Sequence, residues 1–246
     1  MLLPKFDLDK IKFATDEPTY LKAVELYESG KVTQFEEVIG AFSATVLGTK
    51  PYWVTVEARR FGLADCDCYL GQNDTLCKHM VAVSIYAVLR GKPISQEAKQ
   101  VTNSPVCSGQ LGALNPKELR ATKQAITATL RYVKPYNGPS STWFAYQDSL
   151  QEGCRRLGAI ISTLPVSENE ARLLVDLLLR LDNKLCAGGV DDSDGTVGGF
   201  MQEAVMVLMD YVKRDPSCVK AFEGLRSKET CFDWQAPLMK LLKGKH

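Results

Sequence analysis

Cys66-Asp67-Cys68 and Cys77-Lys78-His79, with eight residues between them, decide how this 246-residue chain is read. The pattern is C-x-C-x8-C-x-H, which puts four soft or borderline ligands inside fourteen positions. Zinc(II) binds four such ligands tetrahedrally, at about 2.3 Å from sulfur and about 2.0 Å from imidazole nitrogen. A closed Cys3His set leaves no open position for water, so the implied role is structural rather than hydrolytic. The bland reading is four buried or solvent-facing residues in a reduced protein, since free cysteine is commonly buried. That reading must accept that one of only two histidines in the chain falls two residues from a cysteine by chance.

Working outward, the flanking residues supply a strand before the first ligand pair and a helix after the second. Tyr52 to Ala58 alternates partly and reads as a strand leading to Cys66. Val32–Ile39 and Phe42–Leu47, stopped by Gly40 and by Gly48-Thr49-Lys50-Pro51, read as two more. The expectation is a small antiparallel sheet of three strands. Before it, Thr15-Asp16-Glu17-Pro18 is a helix start, and Tyr20, Ala23, Val24 and Tyr27 keep helical spacing until Gly30. Residues 1–15 read as an irregular arm. After the ligands, a helix runs to about Arg90 and is stopped by Gly91-Lys92-Pro93. Side chains two apart do not share a helix face, so Cys77 is expected at the cap and His79 in the first turn. A helix N-terminus favours a thiolate. Val83, Ala87 and Val88 are expected to bury against the sheet. Metal binding then contributes directly to the folding of a module too small to be very stable alone.

The ligand spacing, the apolar run Met80-Val81-Ala82-Val83 after it, and Gly30-Lys31-Val32 and Tyr52-Trp53-Val54-Thr55-Val56 before it together resemble the SWIM zinc finger. The resemblance covers roughly residues 16–92. It implies a ββα setting, one structural Zn²⁺ held by Cys66, Cys68, Cys77 and His79, and protein–protein or DNA contacts. The chain is similar to bacterial stand-alone members with a C-terminal helical domain. Such members are often encoded near AAA ATPases with von Willebrand A partners, which implies an ATPase-containing complex as partner.

Residues 93–115, with Pro93, Pro105, Gly109, Gly112 and interspersed Ser and Asn, read as a linker. Residues 116–246 read as an all-helical domain. Helices are expected over 119–133, 141–163, from the capping box Ser167-Glu168-Asn169-Glu170 to Gly188-Gly189, and over 197–214, with two shorter ones near 217–226 and 235–243. The fold class is therefore an α+β zinc module followed by a helical bundle or short α-solenoid.

Composition narrows the function. Apolar residues make up 45% and charged residues 24%, as in an ordinary soluble protein. No run approaches the eighteen apolar residues of a membrane span, and Met1 to Asp7 breaks with proline and charge before a signal-peptide core develops. We read a reducing cytoplasm, with Cys107, Cys154, Cys186, Cys218 and Cys231 as core or surface thiols. The net charge is +1. Only residues 101–164 are basic, with 7 cations against 3 anions; Lys117, Arg120, Lys123, Arg131, Lys134, Arg155 and Arg156 form either a phosphate-binding stripe or the solvated face of two helices. Asp191-Asp192-Ser193-Asp194-Gly195 fails the calcium-loop spacing, because position 1 would be Val190 and position 12 Met201; a helix-capping loop is the better reading. With His79 on metal and His246 at the end of the chain, histidine-based catalysis lacks its base, and no enzymatic activity is expected.

The expected function is a non-enzymatic interaction protein contacting a protein partner, with DNA or single-stranded nucleic acid, bound through the zinc module and the 117–156 segment, as the alternative. Arg59, Arg60, Tyr69 and Lys78, near the metal, are the candidate contacts. Trp143 and Phe144, at a helix start, are expected in the core.

Overall fold

The computed structural model describes residues 2–101 and 104–243; His246 lies outside them. The chain divides into two compact units, residues 1–101 and 102–246.

The first unit is built on a meander. Strands β1 (Val32–Val38), β2 (Ala41–Leu47), β3 (Pro51–Glu57) and β4 (Ala64–Cys66) lie in the order of the chain, each antiparallel to the next. Phe42, Ala44, Val46, Val54 and Val56 are buried on one face. Against it lies the helix that follows the ligands, Lys78–Leu89. Met80, Val81, Ala82, Val83, Ile85 and Ala87 are all buried, while Val88 is half-buried. A helix apolar all round must be covered on both sides. The other cover is the helix Glu17–Glu28, capped by Asp16 accepting from the Thr19 N–H at 3.0 Å, which buries Tyr20, Ala23, Val24 and Tyr27.

Two expectations for the first unit's elements need correction. The sheet has four strands: Ala64-Asp65-Cys66 is too short for its alternation to be read, yet it pairs with β3 through Val54↔Cys66 and Val56↔Ala64. The supposed arm contains a helix, Leu8–Ala14, opened by Asp7 accepting from the Lys10 N–H at 2.7 Å and anchored by fully buried Ile11. Seven residues give too few turns for a periodicity.

The 93–115 stretch divides between the units. Ile94 is buried in the first unit, a short helix covers Gln96–Lys99, and the Tyr20 hydroxyl donates to the Ala98 carbonyl at 2.9 Å. Residues 104–114 run along the second unit: the Ser108 hydroxyl donates to the Leu164 carbonyl, Leu111 bridges Val166, and the Leu114 N–H donates to Glu170 Oε1 at 3.0 Å. In chain order the helices so far are α1 (Leu8–Ala14), α2 (Glu17–Glu28), α3 (Lys78–Leu89) and α4 (Gln96–Lys99).

The second unit is a helical bundle of α5 (Pro116–Thr129), α6 (Trp143–Thr163), α7 (Glu168–Cys186), α8 (Thr196–Arg214) and α9 (Ala236–Lys243). Leu150, Leu157, Ile161, Leu174, Leu178, Leu181, Leu208 and Tyr211 fill its core, at the three- and four-residue spacing that an apolar stripe requires. The segment expected as a helix near 217–226 is a 3-10 run, Pro216–Leu225. Phe144 is 76% exposed rather than core, and half-buried Trp143 donates its indole N–H to Asp191 Oδ2 at 3.0 Å. Adjacent helical residues lie about 100° apart around the axis, and here only the Trp143 side turns toward the Asp191 loop. The 191–194 loop caps α8 as expected: Asp192 accepts from the Val197 and Gly198 N–H groups at 2.7 and 2.8 Å. Cys186 and Cys231, read from the sequence as unrelated thiols, are brought together across 45 residues, with Cα atoms 6.3 Å apart; sequence distance hid the pair.

Candidate metal centre

Each ligand is delivered by a different local device. Cys66 ends β4, where pairing with Val54 fixes its height on the sheet. Asp67 locks the exit from that strand: its N–H donates to the Trp53 carbonyl at 3.2 Å and its Oδ1 accepts from the Trp53 N–H at 3.1 Å. The chain then folds back through a 3-10 turn, Gly71–Asn73, in which the Gly71 N–H points at the Cys68 sulfur at 3.4 Å. Cys77 is the N-cap of α3, as expected, and His79 lies in its first turn.

The four side chains converge. Cys66 Sγ, Cys68 Sγ, Cys77 Sγ and the His79 ring present donor atoms within 4.8 Å of one another, and all four residues are buried. His79 Nδ1 stands 3.7 Å from Cys66 Sγ and 3.8 Å from Cys77 Sγ. Zinc bonded tetrahedrally to sulfur and imidazole nitrogen sets that separation at about 3.6 Å. These two separations match the ion, and the chemistry of the donor set suits it.

Electrostatics agree. Cys77 is lowered to about 4, first by the hydrogen bond from the Cys66 thiol and further by His79 and the Met80 N–H, against the effect of burial. Cys66 is pushed up, chiefly because its hydrogen is shared toward Cys77. Cys77, at the N-terminus of α3, is thus the cysteine of this pair that is favoured as thiolate.

Residues 52–87 match the family model of the SWIM zinc finger. The chain carries a SWIM zinc finger. No curated protein and no solved structure matched the chain. The matched segment begins at Tyr52 and ends within α3, narrower than the 16–92 span of the sequence resemblance. The SWIM finger holds one structural Zn²⁺ on Cys66, Cys68, Cys77 and His79.

The other candidates separate. Tyr69, 80% exposed, and half-buried Lys78 line one cleft beside the SWIM finger, together with Thr19, Lys22, Thr49 and Tyr52. Arg59 and Arg60 are exposed on the turn between β3 and β4, at the opposite end of that hairpin from the ligands. In the basic segment, Lys117, Arg120, Lys123, Arg131 and Lys134 are exposed, and Arg120, Lys123 and Arg131 share one face of α5 and its end. Arg156 is spent on buried Glu152, at 2.9 Å.

Sequence reasoning missed three supports. Tyr52 stacks on His79, with centroids 4.3 Å apart. Gly48 leaves room for both: a Cβ there would stand 2.9 Å from the Tyr52 ring and 3.3 Å from His79 Nε2. Gly71 lies so close to Cys66 that a Cβ would fall 2.2 Å from the Cys66 carbonyl oxygen. A glycine between ligand pairs was the available signal for the last. The stacking had none.

Proposed function

We propose that the chain is a non-enzymatic, zinc-stabilised interaction protein whose SWIM finger contacts a protein partner. The supporting observation is the outer face of the sheet, opposite α3. Register places Glu36, Ser43, Thr55 and Asp65 in one row across all four strands, and Thr33, Thr45 and Trp53 in the next. Trp53 is 54% exposed, and Tyr69 and Leu70 stand out from the ligand loop that follows. Glu36, Glu57, Asp65 and Asp67 are exposed around them. Exposed aromatic residues are typical of protein interfaces, and the carboxylates repel a phosphate backbone. By resemblance the partner belongs to an ATPase-containing complex.

A second reading, DNA or single-stranded nucleic acid, draws on the exposed cations of α5. The two separate on salt. Phosphate binding weakens steeply with ionic strength. Capture from native extract, repeated after nuclease treatment and with Trp53→Ala plus Tyr69→Ala, is expected to yield partners lost in the double variant and retained through nuclease and moderate salt. Retention by the double variant, or loss on nuclease treatment, overturns the reading. Among the described residues no helix is long and apolar enough to cross a membrane; we place the protein in the cytoplasm.

A further inference from the structure

The second unit contains a built pair of cysteines that the zinc finger does not use. Cys186 ends α7, and Cys231 opens the 3-10 turn Cys231–Asp233 ahead of α9. Their Cα atoms are 6.3 Å apart, within the span of about 4.4–6.8 Å that a disulfide bridges. Other contacts join the same two segments. Asp182, one helical turn before Cys186, is buried, and its Oδ1 accepts both the Cys231 N–H and the Trp234 indole N–H at 2.9 Å. Trp234 and Leu238 are buried with the core of the bundle. The segment from Cys231 to α9 is therefore docked by contacts besides those of the two sulfurs.

Access is graded. Cys186 is exposed, Cys231 and Cys107 are half-buried, and Cys154, Cys218 and the three cysteines of the finger are buried. Asp182 stands close enough to both sulfurs to complete a three-donor set for a metal, but its Oδ1 already accepts two N–H groups. Three donors also fall one short of a closed structural zinc site.

We propose that Cys186 and Cys231 form a thiol–disulfide exchange site, with a low-molecular-weight disulfide as co-reactant, that clasps the C-terminal segment onto α7. Cys186, as thiolate, attacks one sulfur of the small disulfide RSSR; a Cys186–S–SR bond forms, the RS–SR bond breaks, and RS⁻ leaves and takes a proton as RSH. Cys231 then loses its proton and attacks Cys186 Sγ, forming the internal disulfide and expelling the second thiolate, which leaves as RSH. Two protein thiols are oxidised, one RSSR is reduced, and both thiol protons end on the two RSH molecules. Reduced small thiols reverse the sequence.

The test uses the full chain, zinc-loaded so that the finger is protected, equilibrated in buffers of varied oxidised-to-reduced glutathione ratio. Expected are loss of two hydrogens by intact mass, a single crosslinked peptide pair containing Cys186 and Cys231, and a rise of about 10 °C in the thermal midpoint of the helical unit on closure of this loop. Cys186→Ser and Cys231→Ser are each expected to abolish the mass change and the rise, while melting like reduced wild type. Thiols that stay free in fully oxidising buffer, crosslinks to Cys107, Cys154 or Cys218, a bond that forms without moving the midpoint, or a second zinc per chain lost in Cys186→Ser would each overturn the proposal.

Discussion

The His79 imidazole lies against the Tyr52 ring, 4.3 Å between centroids and 22° from coplanar. The outward nitrogen, Nε2, is buried and has no hydrogen-bond partner among the described residues. Ligating histidines ordinarily have their orientation fixed by a hydrogen bond at the second nitrogen. Here an aromatic plane fixes it, held in turn by the Tyr52 hydroxyl pairing with Thr49 Oγ1 at 2.8 Å.

Gly48→Ala tests that arrangement. The added methyl meets Tyr52 at 2.9 Å and drives the ring from His79. The expected cost is about 1–3 kcal/mol, read by denaturation of the zinc-loaded protein, with zinc passing more readily to a competing chelator. Tyr52→Phe keeps the stack and loses only the Thr49 bond, so its zinc retention stays near wild type.

Gly71→Ala acts on the loop itself. Its Cβ would fall on the Cys66 carbonyl oxygen, a backbone atom that cannot swing aside. Elemental analysis of the purified variant is expected to give well under one zinc per chain.

Cys77→Ser or His79→Ala removes one ligand and with it the closed site. The first unit, with its four short strands, is expected to unfold, while the helical unit melts at its wild-type temperature. Two calorimetric transitions, only one of them altered, are the expected record; two unaltered transitions would show that the metal does not hold the first unit together.

Acid acts on the same unit. A thiol ordinarily titrates near 8.5, by an approximate reference value; in the folded cluster Cys77 is lowered to about 4. Metal binding needs deprotonated ligands, so protons compete with zinc for the cysteines and the first unit loses the stability that the ion supplies as pH falls. Zinc release, followed with a metal-sensitive dye, is expected to accompany loss of the first unit's sheet signal on acidification.

Glu170 governs the start of the second unit. It is fully buried and accepts from the Leu114 N–H at 3.0 Å and from the Ser167 hydroxyl. Glu170→Ala strands both donors and should cost the helical unit about 2 kcal/mol. Glu170→Gln, which keeps one acceptor oxygen, should cost less. Chemical denaturation followed by helical signal distinguishes them.

Much of this was legible in the sequence because it is local. The ligand set, the cap at Cys77 and the strands β1 to β3 all follow from spacings within a few residues. The helix start at Ser167 follows from its cap residue, and the apolar stripes of α6 to α8 from helical periodicity. The reciprocal capping box expected at Ser167 does not form: Ser167 accepts from the Asn169 N–H, and Glu170 accepts from the Ser167 hydroxyl and the Leu114 N–H. What escaped depends on contacts distant in sequence or on elements too short to show a pattern. Ala64-Asp65-Cys66 becomes a strand only because β3 offers its edge. Leu8–Ala14 is a helix because Ile11 has a core to enter. Tyr52 meets His79 across twenty-seven positions, and Cys186 meets Cys231 through the docking of Trp234 on Asp182.

The meander has a further consequence, for biosynthesis. Because strand order equals chain order, each strand leaving the ribosome finds its neighbour already made, and no pairing waits for a distant segment. Nascent β-structure with such local pairing closes quickly. The last ligand, His79, then arrives in the first turn of the helix that covers the finished sheet. Metal capture can therefore come near the end of the unit's assembly, before most of the helical half has been synthesised.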